Sequence, residues 1–185
     1  MLNTFVVHVE NKPGVLTRVS SLFRRRAFNI DSLTVGRTEK PEVSRMTITV
    51  DADADQAKRI EASLYKLVNV LLVENITHEP VITRDLAMIK VAALHSDRTH
   101  VLQLASVFRA RVVDVGADSV TLEITGGEDK INGLLEVLSP FGILEMVRTG
   151  IVAMRRGKRS STPGVPLEVM DEVSSETEDD SGMSV

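Results

Sequence analysis

The chain of 185 residues has a formal net charge of −4, is 43% hydrophobic but only 3% aromatic, and contains neither cysteine nor tryptophan. This composition excludes disulfides and thiolate metal sites, and it leaves little aromatic surface on which nucleic-acid bases could stack. Because no apolar run approaches the ~20 residues of a membrane span and the first residues do not resemble a signal peptide, we expect a cytoplasmic protein that binds neither membrane nor nucleic acid.

The first half of the chain predicts the element order βαββαβ. Apolar residues alternate where strands are predicted and recur at helical spacing where helices are predicted. Asp53 is the predicted N-cap of the second helix. The predicted elements are a strand at 4–10, a helix at 15–23, a hairpin of strands at 29–35 and 43–50, a helix after Asp53, and a buried strand at 70–76.

The second half repeats this order. Its predicted elements are a strand at 86–94, a helix at 101–108, strands at 112–115 and 120–124, a helix from Glu128 to Pro140, and a last strand at 143–152. The repeated βαββαβ order is typical of ferredoxin-like domains. We therefore predict an α+β protein with two tandem ferredoxin-like domains at residues 2–79 and 84–157, joined by a linker at 80–83.

The C-terminal segment differs from the rest in charge. Residues 160–185 hold seven of the 26 acidic residues and none of the 22 basic ones, so the preceding part is slightly basic. The segment is poor in large apolar residues and cannot repay the entropy cost of ordering. We predict a disordered acidic tail at 158–185, which keeps the protein soluble or, alternatively, docks on a basic partner surface.

Two short segments on either side of the first helix predict a ligand site. The sequence NKPGVL at 11–16 opens the helix through Gly14, and FNI at 28–30 leaves it through Asn29. A helix N-terminus offers unpaired N–H groups to a carboxylate, and an asparagine amide both donates and accepts hydrogen bonds. Neither segment contains a catalytic group, so we expect binding of a small polar ligand.

Each of these features also has a purely structural explanation. Gly14 after Pro13 is ordinary chemistry for a turn that starts a helix, and Asn29 is a candidate left-handed C-cap, which is compatible with ligand contact. The run His95-Ser96-Asp97 cannot form a hydrolytic triad because neighbouring side chains on an extended segment point apart. His8 and His78 lie near predicted strand ends and are expected to be ordinary surface or half-buried histidines, since no metal-ligand spacing is present.

Several segments together resemble the family of small regulatory subunits of acetolactate synthase (acetohydroxyacid synthase), whose first domain is an ACT domain. The resemblance covers about residues 2–157. One departure is Ala27, where the family commonly has glycine, and it suggests that this position does not need a positive φ. The segments are NKPGVL at 11–16, RRAFNIDSL at 25–33, SRMTI at 44–48, RDLAMIK at 84–90, FRARVVDV at 108–115 and RTG at 148–150.

The resemblance implies a chain that is not itself an enzyme and holds no cofactor. The large catalytic subunit would carry thiamine diphosphate, Mg²⁺ or another divalent metal, and FAD, and would condense pyruvate with a second 2-oxoacid in branched-chain amino acid biosynthesis. The small subunit would activate it and convey feedback inhibition by valine or a related amino acid. ACT domains of this kind pair side by side, which implies a homodimer or higher oligomer.

In such a pair the effector lies between the glycine loop of one subunit and the Asn-Ile turn of the other. The residues of this chain suit that arrangement. Gly14 lets backbone N–H groups approach the effector carboxylate, and Asn11 and Asn29 can bridge its ammonium and carboxylate. The site would have an aliphatic wall formed by Val15, Leu16 and Ile30. Such a wall discriminates between amino acids that differ by one methylene by only ~1–3 kcal/mol of binding free energy, so the preferred branched-chain amino acid stays open.

Two other classes of protein remain as alternatives. A free-standing ACT-domain sensor that controls another enzyme or a regulator would share the glycine loop, although the resemblance through the second half argues against it. A small ferredoxin-like enzyme would need an acid, a base or a nucleophile converging in a pocket, and the sequence offers none.

Overall fold

The computed structural model describes residues 1–157, so the predicted tail at 158–185 lies outside the described residues. Two βαββαβ units follow one another, which confirms the predicted fold class. No helix within this range is long and apolar enough to cross a membrane. The strands are β1 (Leu2–Glu10), β2 (Ile30–Arg37), β3 (Val43–Asp51), β4 (Val70–Asn75), β5 (Val81–Ala92), β6 (Arg111–Val115), β7 (Ser119–Gly126), β8 (Ile143–Arg148) and β9 (Val152–Arg155); the helices are α1 (Val15–Arg25), α2 (Ala54–Leu64), α3 (Arg98–Val107) and α4 (Glu128–Leu138).

The first unit is an antiparallel sheet with the strand order β2-β3-β1-β4 and both helices on one face. The alternation of β1 sends Phe5, Val7 and Val9 into the core beneath the helices. The predicted cap of α2 is confirmed, because Asp53 accepts from the Gln56 N–H and the Gln56 side chain accepts from the Asp53 N–H in a capping box. The strand β2 lies at an edge of this sheet.

The second unit repeats the plan with the strand order β6-β7-β5-β8 and its own core. The repetition extends to irregularities. The edge strands β2 and β6 each carry a β-bulge, at Asp31 and at Val113, where the register skips one residue. Bulges bend an edge strand and re-aim the side chains that follow it.

The two units are joined more closely than the sequence predicts. Residues 81–83, predicted as linker, belong to β5, and the predicted last strand is divided at Gly150 (φ 87°) into β8 and β9. Strand β9 pairs with the first four residues of β5. We call this pair, Val81–Arg84 with Val152–Arg155, the interdomain ribbon. One side of this ribbon packs on the first unit. A small third apolar cluster forms there from Val6 and Ile76 of the first unit with Val81, Ile151 and Ala153.

The expectation that Ala27 avoids a positive φ is wrong. Ala27 has φ 56°, and Arg109, at the corresponding position of the second unit, has φ 52°. Helices α1 and α3 each end in a Schellman motif. In α1 the N–H of Phe28 donates to the carbonyl of Phe23 at 3.1 Å, and in α3 the N–H of Ala110 donates to the carbonyl of Ala105 at 2.8 Å. The chain reversal and the packing of the following residue on the core impose the left-handed conformation on a non-glycine residue.

Candidate functional site

The β1–α1 turn presents an open helix N-terminus. Gly14 caps α1 with φ 81°, without a side-chain cap and without an acidic residue in the first turn. The N–H groups of Leu16 and Thr17 make no hydrogen bond within residues 1–157. Among residues 1–157, a Cβ added to Gly14 would meet no atom within 4 Å outside its chain neighbours, so the described part of the chain leaves space for a ligand there. Unpaired N–H groups at the positive end of a helix dipole favour a carboxylate at this position.

Asn11 holds this turn in place. Its Nδ2 donates to the carbonyl of Pro41 at 2.8 Å, and its backbone N–H donates to that of Glu42 at 2.7 Å. The Asn11 Oδ1 has no partner among the described residues, so it remains available to an ammonium group. A depression of about 310 Å³ adjoins the turn, lined by Glu10, Asn11, Lys12, Glu42, Val43 and Leu71.

The charges beside this turn are held by neighbours. Asn69 donates to the Glu10 carboxylate at 2.5 Å, and Lys12 pairs with it at 3.1 Å. The Asn69 hydrogen bond, followed by that of Lys12, lowers the pKa of Glu10. Two cations near the turn are engaged with partners of the first domain, Lys12 with Glu10 and Arg18 with the Asn69 Oδ1.

The second predicted half of the site lies at the other end of α1. Asn29 is exposed, and its side chain has no hydrogen bond within the described part of the chain, while Ile30 packs against the first core. The left-handed C-cap role proposed for Asn29 is wrong, because Ala27 takes that conformation. Helix α1 has 11 residues and is about 16 Å long, so its two ends are farther apart than one amino acid can span.

The three predicted aliphatic residues differ in accessibility. Val15 is 4% exposed and contributes to the first core, and Ile30 is half-buried against the same core. Leu16, which is 43% exposed, offers a free apolar side chain beside the helix N-terminus. An aliphatic ligand side chain at this turn would therefore contact Leu16 more fully than Val15.

The corresponding loop of the second unit is closed by an arginine. The Arg98 guanidinium donates to the carbonyls of Gly116 at 2.8 Å and Ala117 at 2.6 Å, which ties the β5–α3 turn to the β6–β7 turn. The run His95-Ser96-Asp97 forms the turn before α3, and His95 and Ser96 are exposed. This turn lacks the open glycine geometry of its counterpart in the first unit.

Sequence reasoning missed a cleft between the two domains. It has a volume of about 380 Å³ and begins one residue after Ile30; its lining residues are Asp31, Ser32, Leu33, Glu128, Arg148, Thr149, Gly150 and Ile151. The alternating hydroxyls Ser32 and Thr34 on β2 were a signal that one face of this strand is polar. The sequence could not show that a segment of the second domain lies against that face.

A second feature that the sequence did not predict is a buried polar layer under the interdomain ribbon. His8 is 1% exposed in the middle of β1, so the expectation of a surface or half-buried histidine is wrong for this residue. Arg45, its cross-strand neighbour, donates to the carbonyl of Ala153, and Arg155 pairs with Glu74 at 3.2 Å. Burial, and then the charge of Arg45, lowers the pKa of His8 to about 4.

The depressed pKa of His8 predicts acid sensitivity. The folded protein keeps His8 neutral, so the free energy of unfolding is highest above the unfolded-state pKa of 6.5. As the pH falls toward about 4, the unfolded chain binds a proton at His8 that the folded protein does not, and this stability is lost. At 1.36 kcal/mol per pKa unit, the loss amounts to about 3 kcal/mol. We expect His8→Leu to flatten the pH dependence of urea unfolding between pH 6.5 and 4. The matched control His78→Leu, at an exposed site, should keep the parental slope; an equal slope in all three proteins would contradict this account.

The described residues contain no group of three or more His, Cys, Asp or Glu side chains that could hold a metal ion.

The comparisons with known proteins cover both domains. Residues 5–72 match the family described as AHAS small subunit-like ACT domain, and residues 84–157 match the family described as small subunit of acetolactate synthase.

This chain matches three similar proteins over nearly their whole lengths. A probable acetolactate synthase small subunit of Archaeoglobus fulgidus is 47% identical over 159 residues, covering 86% of this chain and 99% of that protein. The acetolactate synthase small subunit of Mycolicibacterium smegmatis is 46% identical over 157 residues, covering 85% and 92%. The crystal structure of the acetolactate synthase small subunit from Thermotoga maritima superposes with a TM-score of 0.79 at 38% identity, covering 85% of this chain and 98% of that one.

Proposed function

The chain belongs to the family of acetolactate synthase small subunits, the regulatory subunits of that enzyme, and on this premise we propose that it activates a catalytic subunit and conveys feedback inhibition by a branched-chain amino acid. It acts in the cytoplasm, holds no cofactor and has no catalytic residues of its own; the large subunit supplies thiamine diphosphate, Mg²⁺ and FAD. The observation that carries this proposal is the match of both domains to the family. A free-standing ACT sensor would not require the second domain.

The effector site proposed here is built from the two ends of α1. The free N–H groups at the helix N-terminus bind the effector carboxylate, and the Asn11 Oδ1 accepts from its ammonium group. Leu16 contacts its aliphatic side chain. Asn29 and Ile30, contributed by a second copy of the chain, complete the site, with Val15 supporting the turn from the core.

The proposal is tested by reconstitution. The purified chain is added to a catalytic subunit of acetolactate synthase, and acetolactate formation from pyruvate is measured with and without valine. We expect no turnover by the chain alone, a higher rate on mixing, and inhibition by valine only in the mixture. Acetolactate formation by the chain alone, or no change in rate or valine response on mixing, would contradict the proposal. Leucine and isoleucine in parallel assays identify the preferred effector.

The separation of the two half-sites also predicts self-association. Because the halves lie at opposite ends of α1, which is about 16 Å long, a single effector can contact both only across two copies. Strand β2 lies at an edge of its sheet, so within residues 1–157 its outer backbone groups have no partner strand and a second copy can pair with them. We expect at least a dimer by light scattering at micromolar concentration, tightened by valine through mass action. A monomer under both conditions would show that the shared site is wrong.

A further inference from the structure

One strand belongs both to the proposed effector site and to the contact between the domains. Strand β2 begins directly after Asn29, and two residues later it reaches the second domain through Ser32 and Thr34. The N–H of Ile151 donates to the Ser32 Oγ at 3.0 Å, and the Thr34 Oγ1 donates to the carbonyl of Ile151 at 3.0 Å. Both backbone groups of one residue are thus held by two hydroxyls of β2. We call this arrangement the Ser32–Thr34 clamp.

The clamp is closely packed. Gly150, at φ 87°, lies so near that an added Cβ would stand 2.4 Å from the Ser32 Oγ and 3.3 Å from the Thr34 Oγ1. Because the short side chains leave no free space between β2 and the backbone of residues 150–151, a shift of β2 displaces that backbone.

A continuous set of contacts leads from the clamp into the second domain. Thr149 donates from its N–H to the carbonyl of Leu86 at 3.0 Å and from its hydroxyl to the Asp85 carboxylate at 3.1 Å. Arg148 pairs with the other oxygen of Asp85 at 2.6 Å. Asp85 is 3% exposed and lies on β5, the central strand that also forms the interdomain ribbon. A movement of residues 150–151 is therefore transmitted to the backbone of the second sheet.

The bulge at Asp31 separates effector contact from clamp contact. Ile30 pairs with Val50 and Ser32 with Thr49, so Asp31 is the unpaired residue between them. A bulge bends its strand and increases the local twist, so the direction in which Ser32 and Thr34 point depends on the backbone at Ile30 and Asp31. Ligand contact at Asn29 and Ile30 can change the aim of Ser32 and Thr34 without breaking the sheet.

From this geometry we propose that Ser32 and Thr34 are positioning residues that couple effector occupancy in the first domain to the position of the second domain. The proposal rests on the proposed function and specifies how effector binding at that site reaches the second domain. Removing the two hydroxyls should leave effector binding intact and weaken its consequence. A physically contiguous network with few contacts of this kind modulates coupling by about two- to thirtyfold.

The test compares binding with inhibition in the holoenzyme. Ser32→Ala/Thr34→Val is mixed with the catalytic subunit, valine affinity is measured by calorimetry, and activity is measured across valine concentrations. We expect valine affinity within about threefold of the parent, unchanged activation without valine, and residual activity at saturating valine raised at least about threefold. The swapped variant Ser32→Thr/Thr34→Ser retains both hydroxyls and should keep most of the inhibition.

A matched control removes hydroxyls away from the clamp. In Ser20→Ala/Thr121→Val, the Ser20 hydroxyl bonds only within its own helix, and Thr121 lies on β7 of the second sheet. This variant should bind valine and be inhibited like the parent. If the double variant misfolds by circular dichroism, Thr34→Val alone is measured in the same assays.

The outcomes separate the proposals. Normal inhibition of a folded clamp variant would overturn the coupling role, as would a loss of valine affinity equal to the loss of inhibition, because that result indicates only support of the binding site. A parent protein that neither binds valine nor alters the synthase would overturn the proposed function, and the coupling role with it.

Discussion

Gly14→Asp and Asn29→Ala are each expected to weaken valine binding about ten- to a hundredfold while leaving activation of the synthase intact. For Asn29→Ala the expected size corresponds to the loss of one charge-assisted hydrogen bond, worth roughly 1.5–3 kcal/mol, and we expect the charge repulsion in Gly14→Asp to be of the same order. Gly14→Asp places a negative charge where the effector carboxylate is proposed to bind. Asn29→Ala removes an amide that, by the same proposal, holds the ligand from the neighbouring copy.

We expect both variants to fold. Asn29 is exposed and its side chain has no partner within residues 1–157, and a Cβ at Gly14 meets no atom within 4 Å. The remaining cost at Gly14 is its φ of 81°, a conformation that Asp and Asn tolerate better than most residues. Gly14→Asn is therefore the matched control, since it shares the shape and the backbone strain of aspartate without the charge.

Calorimetry with valine and inhibition curves of the reconstituted enzyme measure these effects. Gly14→Asn should lose much less affinity than Gly14→Asp, because charge repulsion is the larger contribution. Parental valine affinity in both Gly14→Asp and Asn29→Ala would refute the site, even if the regulatory role survives. A loss of activation in step with the loss of binding would show that the same residues contact the catalytic subunit.

Arg148→Met is expected to lower the free energy of unfolding by about 3–5 kcal/mol, the largest stability effect predicted for this protein. Arg148 pairs with Asp85 through its Nη2 at 2.6 Å and its Nε at 2.7 Å. Asp85 is 3% exposed, so removal of the guanidinium leaves a buried carboxylate whose only remaining partner among residues 1–157 is the Thr149 hydroxyl. An uncompensated buried charge is far more costly than the net contribution of the pair.

Urea unfolding followed by circular dichroism measures this loss. The control is Arg111→Met, whose partner Glu123 lies 2.9 Å away but whose own side chain is 72% exposed; its cost should stay below about 1 kcal/mol. Adding Asp85→Asn to Arg148→Met removes the orphaned charge and should restore part of the stability. Equal costs for Arg148→Met and Arg111→Met would contradict the burial argument.

The sequence by itself determined the order and type of the elements. Helix and strand periods, the Asp53 cap and the repetition of βαββαβ depend on residues close together in the chain, and each of these predictions is confirmed. The family followed from the same local segments, and the matches over 5–72 and 84–157 confirm it. The predicted ligand residues remain a proposal, although the open helix N-terminus at Gly14 agrees with the expectation.

The tertiary structure alone decided how the two domains meet. His8 is buried on the face of β1 where Val6 packs against the interdomain ribbon, and β5 begins at Val81 because β9, some 70 residues later, pairs with it. Single-strand patterns show which face of a strand is polar but not what packs on that face. The same limit hid the contact between Ser32 and Ile151, which depends on two segments 119 residues apart.

Ala27 shows the boundary between the two kinds of information. The residue type argued against a left-handed conformation, since alanine there costs roughly 1–2 kcal/mol. The chain nevertheless adopts φ 56°, because the Schellman hydrogen bonds and the packing of Phe28 on the first core outweigh that cost. Local propensity is a weak preference, and the burial of an aromatic side chain, available only in the assembled domain, decides the backbone conformation at this turn.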